Sequence, residues 1–60
     1  MLCEVTFGSL DIGQRFYDQF SGIEFIKYSD NMAEMLTCPD TDYPFSAFYE
    51  NELVEIETRG

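Results

Sequence analysis

The chain has sixty residues, which is enough for one domain (1–60) with a small core. A chain of this size buries only about 60% of the surface that its unfolded form exposes. Six Phe and four Tyr, with 45% hydrophobic residues overall, exclude a disordered acidic tail. Twelve acidic residues against three basic ones give a net charge of −9. Such a field repels phosphate backbones and anionic lipid, and it excludes direct binding to nucleic acid or to a membrane surface.

The first half of the chain predicts short strands. Turn-forming residues separate runs of about five to seven residues, which is the usual length of a strand rather than of a helix. A loop that we expect Leu10 and Ile12 to anchor to the core follows the first run, and the Ser21-Gly22 connection predicts a hairpin between the second and third runs. The three predicted strands are Leu2–Thr6, Arg15–Phe20 and Ile23–Ser29.

The second half is harder to interpret. Residues 31–38 fit either a strand or a short helix, and we favour a strand because the stretch is only about two helical turns long. Residues 40–49 predict a loop, since Pro44 prevents a regular central strand. The alternation in Leu53–Thr58 predicts a last strand that directs its aliphatic side chains inward and its glutamates outward.

Five short strands rich in aromatic residues predict an all-β fold that closes into a barrel, because closure removes exposed strand edges. A pattern of glycine, aromatic and aliphatic positions covers most of residues 10–56: Leu10-x-Ile12-Gly13-x-x-Phe16, then Gly22-x-x-Phe25-x-Lys27-x-Ser29-x-x-x-Ala33, then Phe45 and Leu53-Val54-Glu55-Ile56. This pattern resembles the small SH3-like barrel proteins of bacteriophages and prophages. The resemblance implies a five-stranded SH3-like barrel, with room for one short helical turn, and a phage source.

Packing explains most of these positions. Phe16 and Phe25 are expected to fill the barrel together with the aliphatic residues of the last strand. We expect Lys27 to lay its stem over the aromatic rings and to keep its charge in water.

Catalytic and metal-binding residues are not recognisable. The chain has no histidine, and its negative field disfavours a reactive thiolate at Cys3 or Cys38. Both cysteines are expected to be reduced core residues, although a bond between neighbouring strands stays open. Asp40 and Asp42 form the closest carboxylate pair, but the loop lacks the remaining ligands of a calcium site. We therefore expect no enzymatic activity and no cofactor.

The charge is uneven along the chain. Residues 1–27 carry four acids and two bases, a net charge of −2, whereas residues 28–60 carry eight acids and one base, a net charge of −7. The second part is either a solvated face that keeps the protein in solution or an anionic docking surface. Rings beside acids make good anchors for a basic partner. The candidate partner-binding residues are Tyr43, Tyr49, Asp40, Asp42, Glu50 and Glu52, and we expect the two tyrosines to be exposed because their hydroxyls favour water.

These features favour a non-enzymatic binding module, encoded by a phage, that docks on the basic surface of a host protein and modulates it. One alternative is a nucleic-acid mimic that occupies a DNA- or RNA-binding groove, and another is a small virion or assembly component. No signal peptide or membrane span is recognisable, so a cytoplasmic location is expected. Monomer and homodimer both stay open.

Overall fold

The computed structural model describes residues 1–36 and 44–58, and within them the protein is all-β. Six strands form one antiparallel sheet, and the only helical element in these ranges is a single 3-10 turn, Phe7–Ser9. The strands are β1 (Leu2–Thr6), β2 (Arg15–Tyr17), β3 (Glu24–Ser29), β4 (Met32–Met35), β5 (Phe45–Ala47) and β6 (Leu53–Glu57).

The strand order is β1-β6-β2-β3-β4-β5, so β1 and β5 are the two ends of the sheet. Over residues 1–36 and 44–58, no pairing joins these two ends, and the sheet is therefore not closed. The number of strands also differs from the five predicted, because β5 lies within the predicted loop 40–49. Pro44 precedes β5, which is an end strand in this order, and proline is tolerated in such a position.

Several predicted elements are confirmed. β1 has the predicted bounds, and β4 shows that the ambiguous stretch 31–38 contains a strand. The hairpin of β2 and β3 also forms, with Phe16 opposite Phe25. However, β2 is shorter than predicted and ends at Tyr17.

The shortening of β2 comes from its turn. The Asp18 carboxylate accepts hydrogen bonds from the Ser21 backbone N–H (3.0 Å) and hydroxyl (2.7 Å), and the Asp18 carbonyl accepts from the Gly22 N–H (2.9 Å). Gly22 has φ 71°, which glycine adopts without strain. Phe20 is therefore held at the tip of a five-residue turn, where it is 93% exposed.

The core is an aromatic cluster. Phe7, Phe16, Phe25 and Phe48 are buried, and their ring centroids lie 5.0 to 5.6 Å apart in stacked and edge-to-face pairs. Such pairs add about 0.5–1.5 kcal/mol each to the burial of their area. The buried aliphatic residues Leu10, Ala33 and Val54 complete this core.

Two expectations about individual side chains are wrong. Lys27 does not keep its charge in water: it is only 5% exposed, and its Nζ donates hydrogen bonds to the carbonyl oxygens of Phe7 (3.1 Å) and Leu10 (2.8 Å). Two fixed carbonyl dipoles thus replace the water around the ammonium group. Ile12 is 65% exposed, so Leu10 alone anchors its loop in the core.

Candidate protein-binding surface

The connection between β5 and β6 is a turn that is tied to the rest of the protein at several points. The Tyr49 carbonyl accepts a hydrogen bond from the Glu52 N–H (3.0 Å), and the Glu52 side chain accepts one from the Tyr49 N–H (3.4 Å). The turn also accepts two hydrogen bonds from the segment after β1, from Phe7 N–H to the Glu52 carbonyl and from Gly8 N–H to the Glu50 carbonyl, both 2.8 Å long. We call residues 49–52 the Tyr49 turn.

Three of the six predicted partner-binding residues lie in this turn. Tyr49 is 78% exposed, Glu50 is exposed, and Glu52 is partly buried. The contrast between exposed Tyr49 and buried Phe48 agrees with the prediction that the tyrosine hydroxyl remains in water. The other three predicted residues, Asp40, Asp42 and Tyr43, lie outside the described residues.

A cleft of about 330 Å³ adjoins the exposed Tyr49 ring. It is lined by Asn31, Ala47, Phe48 and Tyr49. The backbone there is held by a hydrogen bond from the Phe48 N–H to the Asn31 carbonyl, 2.9 Å long. The turn therefore presents an aromatic side chain and a concave apolar surface side by side.

A second candidate surface, not identified from the sequence, is the outer face of the sheet. In this register Glu4 on β1 lies directly opposite Glu55 on β6, and Glu55 in turn lies opposite Tyr17 on β2. Tyr17 is opposite Glu24 on β3, which extends the row across a fourth strand. The Glu4 carboxylate accepts a hydrogen bond from the Gln19 side chain.

The next row on the same face mixes apolar and charged residues. Ile26 on β3 lies between Arg15 on β2 and Glu34 on β4, and Glu34 lies opposite Phe45 on β5. The Phe45 ring packs edge-on against the exposed Tyr28 ring, with centroids 5.0 Å apart. This aromatic pair occupies the β3–β5 side of the outer face.

The outer face is strongly acidic. Its basic groups in the described part of the chain are Arg15 and the N-terminal ammonium, which lies 3.2 Å from a Glu57 carboxylate oxygen. The face combines acids from both halves of the chain, whereas the sequence pattern assigned the anionic surface to the second half. Its carboxylates are Glu4, Glu24, Glu34, Glu55 and Glu57.

Alternation within each strand could have assigned each acid to this face. The order of the strands could not be read from the sequence, because β6 inserts between β1 and β2. That insertion brings Glu4 and Glu55 together.

A metal-binding cluster or a reactive thiol would indicate a different kind of site from these two surfaces. Residues 1–36 and 44–58 contain no group of three or more His, Cys, Asp or Glu side chains that could hold a metal ion. Cys3 is a partly buried free thiol whose Sγ lies 3.5 Å from Thr58 Oγ1. Cys38 lies outside the described residues, so the reduced state expected for it stays a prediction.

No protein-family model matches the chain, and no curated protein or solved structure matches it either. Within the described ranges, no helix is long and apolar enough to cross a membrane. The candidate surfaces are therefore judged on their own geometry and charge.

Proposed function

We propose that this chain is a non-enzymatic binding module that docks on a basic surface of another protein and modulates it. We further propose that the chain has an SH3-like barrel fold and is encoded by a phage. Its partner is then a protein in the cytoplasm of the host cell. The observation that carries the proposal is the charge of the outer face, where five carboxylates share one sheet surface with Arg15 and the N-terminal ammonium. A surface of one sign accelerates encounter with a partner of the opposite sign.

The Tyr49 turn supplies what the acidic face lacks, which is an anchor. Aromatic side chains dominate the binding energy of most interfaces, whereas exposed charges mainly steer the encounter. Tyr49 is exposed beside a cleft and close in sequence to Glu50 and Glu52. A basic side chain of the partner could lie over this ring and contact the neighbouring acids. We therefore assign the anchoring role to Tyr49 and the steering role to the outer face.

Affinity purification from the native host, followed by quantitative binding to the captured partner, tests this assignment. We expect Tyr49→Ala to weaken binding by at least about tenfold, as removal of an aromatic anchor commonly does. Phe20→Ala is the control, because Phe20 is also a strongly exposed aromatic residue but lies at the tip of the turn between β2 and β3, outside both candidate surfaces. Equal affinities for the wild type and the Tyr49→Ala variant would contradict the anchoring role.

Nucleic-acid mimicry is a second candidate, and the pair Glu4 and Glu55 favours it. Like charges directly opposite each other on adjacent strands are destabilising, so this pair does not serve the sheet. A row of carboxylates on a rigid sheet could instead occupy a groove that normally binds phosphates. Complex formation should then compete with DNA or RNA and weaken steeply as salt is added.

Two double variants separate the candidates at equal change of charge. Glu4→Gln with Glu55→Gln neutralises the facing pair of the row, and Glu50→Gln with Glu52→Gln neutralises the Tyr49 turn. Mimicry predicts that the first double variant loses competition with nucleic acid and that the second keeps it. Binding that is insensitive to salt would reject mimicry.

A further inference from the structure

Lys27 is a buried cation whose ammonium group donates hydrogen bonds to backbone carbonyl oxygens. It lies on the inner face of β3, and its Nζ donates to the carbonyls of Phe7 and Leu10 and sits 4.7 Å from the centre of the Phe7 ring. The Phe7 carbonyl also accepts a hydrogen bond from the Leu10 N–H (3.1 Å). The ammonium group therefore joins the two ends of the short segment from Phe7 to Leu10, because it donates to the carbonyl of the first residue and to the carbonyl of the last.

The same segment also donates backbone hydrogen bonds to the Tyr49 turn. The N–H groups of Phe7 and Gly8 donate to the Glu52 and Glu50 carbonyls, both at 2.8 Å. The approach is close: a Cβ atom placed on Gly8 would lie 2.8 Å from the Glu50 carbonyl oxygen and 2.9 Å from the Glu50 Cβ. Only a glycine fits here without displacing the turn. Lys27 and the turn are thus linked through one backbone segment: its carbonyls accept from Lys27, and its N–H groups donate to the turn.

We propose that Lys27 is a positioning residue that fixes the Phe7–Leu10 segment and, through it, the Tyr49 turn. One ammonium group that donates to two carbonyl oxygens holds both at hydrogen-bond distance, and such charge-assisted bonds are roughly twice as strong as neutral ones. Removal of the ammonium leaves the Phe7 and Leu10 carbonyls buried without that partner, and the segment relaxes. The Tyr49 turn then loses the fixed support that holds it before a partner arrives. The docking part of this inference rests on the function proposed above.

Hydrogen exchange of single backbone amides tests the positioning role. In Lys27→Met, which keeps an apolar stem of similar length, we expect the Phe7 and Gly8 amides to exchange at least about tenfold faster than in the wild type. The reference is the Leu36 amide, which donates to the Glu24 carbonyl (2.8 Å) away from the segment. Arg15→Met is the matched control, since it also removes one positive charge but from an exposed side chain.

Two results would overturn the positioning role. One is equal exchange at Phe7 and Gly8 in Lys27→Met and Arg15→Met. The other is an equal acceleration at Phe7, Gly8 and Leu36, because this would mean that Lys27 stabilises the whole sheet without acting on the segment.

A measurement on the wild type keeps the test decisive if Lys27→Met does not fold. We expect the Lys27 ammonium to be visible by ¹⁵N NMR as a slowly exchanging group with couplings across hydrogen bonds to the Phe7 and Leu10 carbonyl carbons. An ammonium signal that exchanges rapidly with water and shows no such coupling would overturn the proposal.

Binding of an oligolysine peptide, as a basic probe, tests whether the Phe7–Leu10 segment affects docking. Gly8→Ala pushes against the Glu50 carbonyl and leaves Lys27 in place, and we expect it to weaken peptide binding by about tenfold, as loss of preorganisation does. The Leu36 amide should exchange as in the wild type, which shows that the fold is intact. If Lys27→Met accelerates exchange at Phe7 and Gly8 but Gly8→Ala binds the peptide normally, the positioning role stands and the docking role of the Tyr49 turn is wrong.

Discussion

The two faces of this sheet obey different rules, although the same six strands form both. The residues of the inner face form the packed core. Its phenylalanine rings contact one another, and its lysine donates hydrogen bonds to two backbone carbonyls. The outer face gathers five carboxylates, two of which lie directly opposite each other. Packing does not require these charges, and the pair of Glu4 and Glu55 opposes stability. A small sheet can therefore carry an unfavourable charge pattern on one face because the other face holds the strands together.

The largest expected effect concerns a core ring compared with an exposed one. Phe16→Ala removes a fully buried ring that contacts three others, and we expect a loss of about 3–5 kcal/mol. A core of this size supplies about the same amount in total, so the variant should be largely unfolded by circular dichroism. Phe20→Ala, on the exposed turn, should change the free energy of unfolding by less than about 0.5 kcal/mol. Similar melting curves for the two variants would show that the aromatic cluster is not the core.

An intermediate effect is expected within β6, where adjacent residues point to opposite faces. Val54 is fully buried, and Val54→Ala should lower the free energy of unfolding by about 2 kcal/mol through lost burial and a small cavity. Leu53 is its neighbour on the outer face, and Leu53→Ala should cost less than about 0.5 kcal/mol. Urea titration of both variants measures the difference. A larger loss for Leu53→Ala would reverse the assignment of the faces.

The smallest effect, and the one with opposite sign, concerns the acidic row. Glu55→Gln removes the repulsion from Glu4, so we expect the free energy of unfolding to rise by about 0.5 kcal/mol. Glu50→Gln is the control, because it removes an equal charge from the Tyr49 turn. In about 1 M salt the Debye length falls to about 3 Å, and the gain from Glu55→Gln should shrink. A variant less stable than the wild type at low salt would show that repulsion across these two strands is negligible.

Run length, turn residues and alternation made much of the fold predictable. Short runs bounded by turn residues predicted the first strand and the strand around Phe25, alternation from Val54 to Glu57 predicted the last strand, and these segments form β1, β3 and β6. The prediction fails where local hydrogen bonds override composition. Phe20 belongs to an aromatic run but lies at the tip of a turn organised by Asp18. β5 was not predicted because a proline such as Pro44 is compatible both with a loop and with the start of an end strand.

The candidate surface was predictable only in part. Tyr49 and Glu50 are exposed as their chemistry suggests, because a hydroxyl and a carboxylate both favour water. The acidic face could not be foreseen, since it depends on which strands are neighbours. Glu4 and Glu55 are far apart in the chain and meet only because β1 pairs with β6.

The sequence by itself determined an all-β chain, its aromatic interior and its large negative charge, because residue type and a period of two are local properties. The tertiary structure alone decided the order of the strands, the row of facing carboxylates and the burial of Lys27. These features depend on contacts between residues distant in the chain. A lysine in a strand carries no local sign that two backbone carbonyls of another segment will surround its ammonium group.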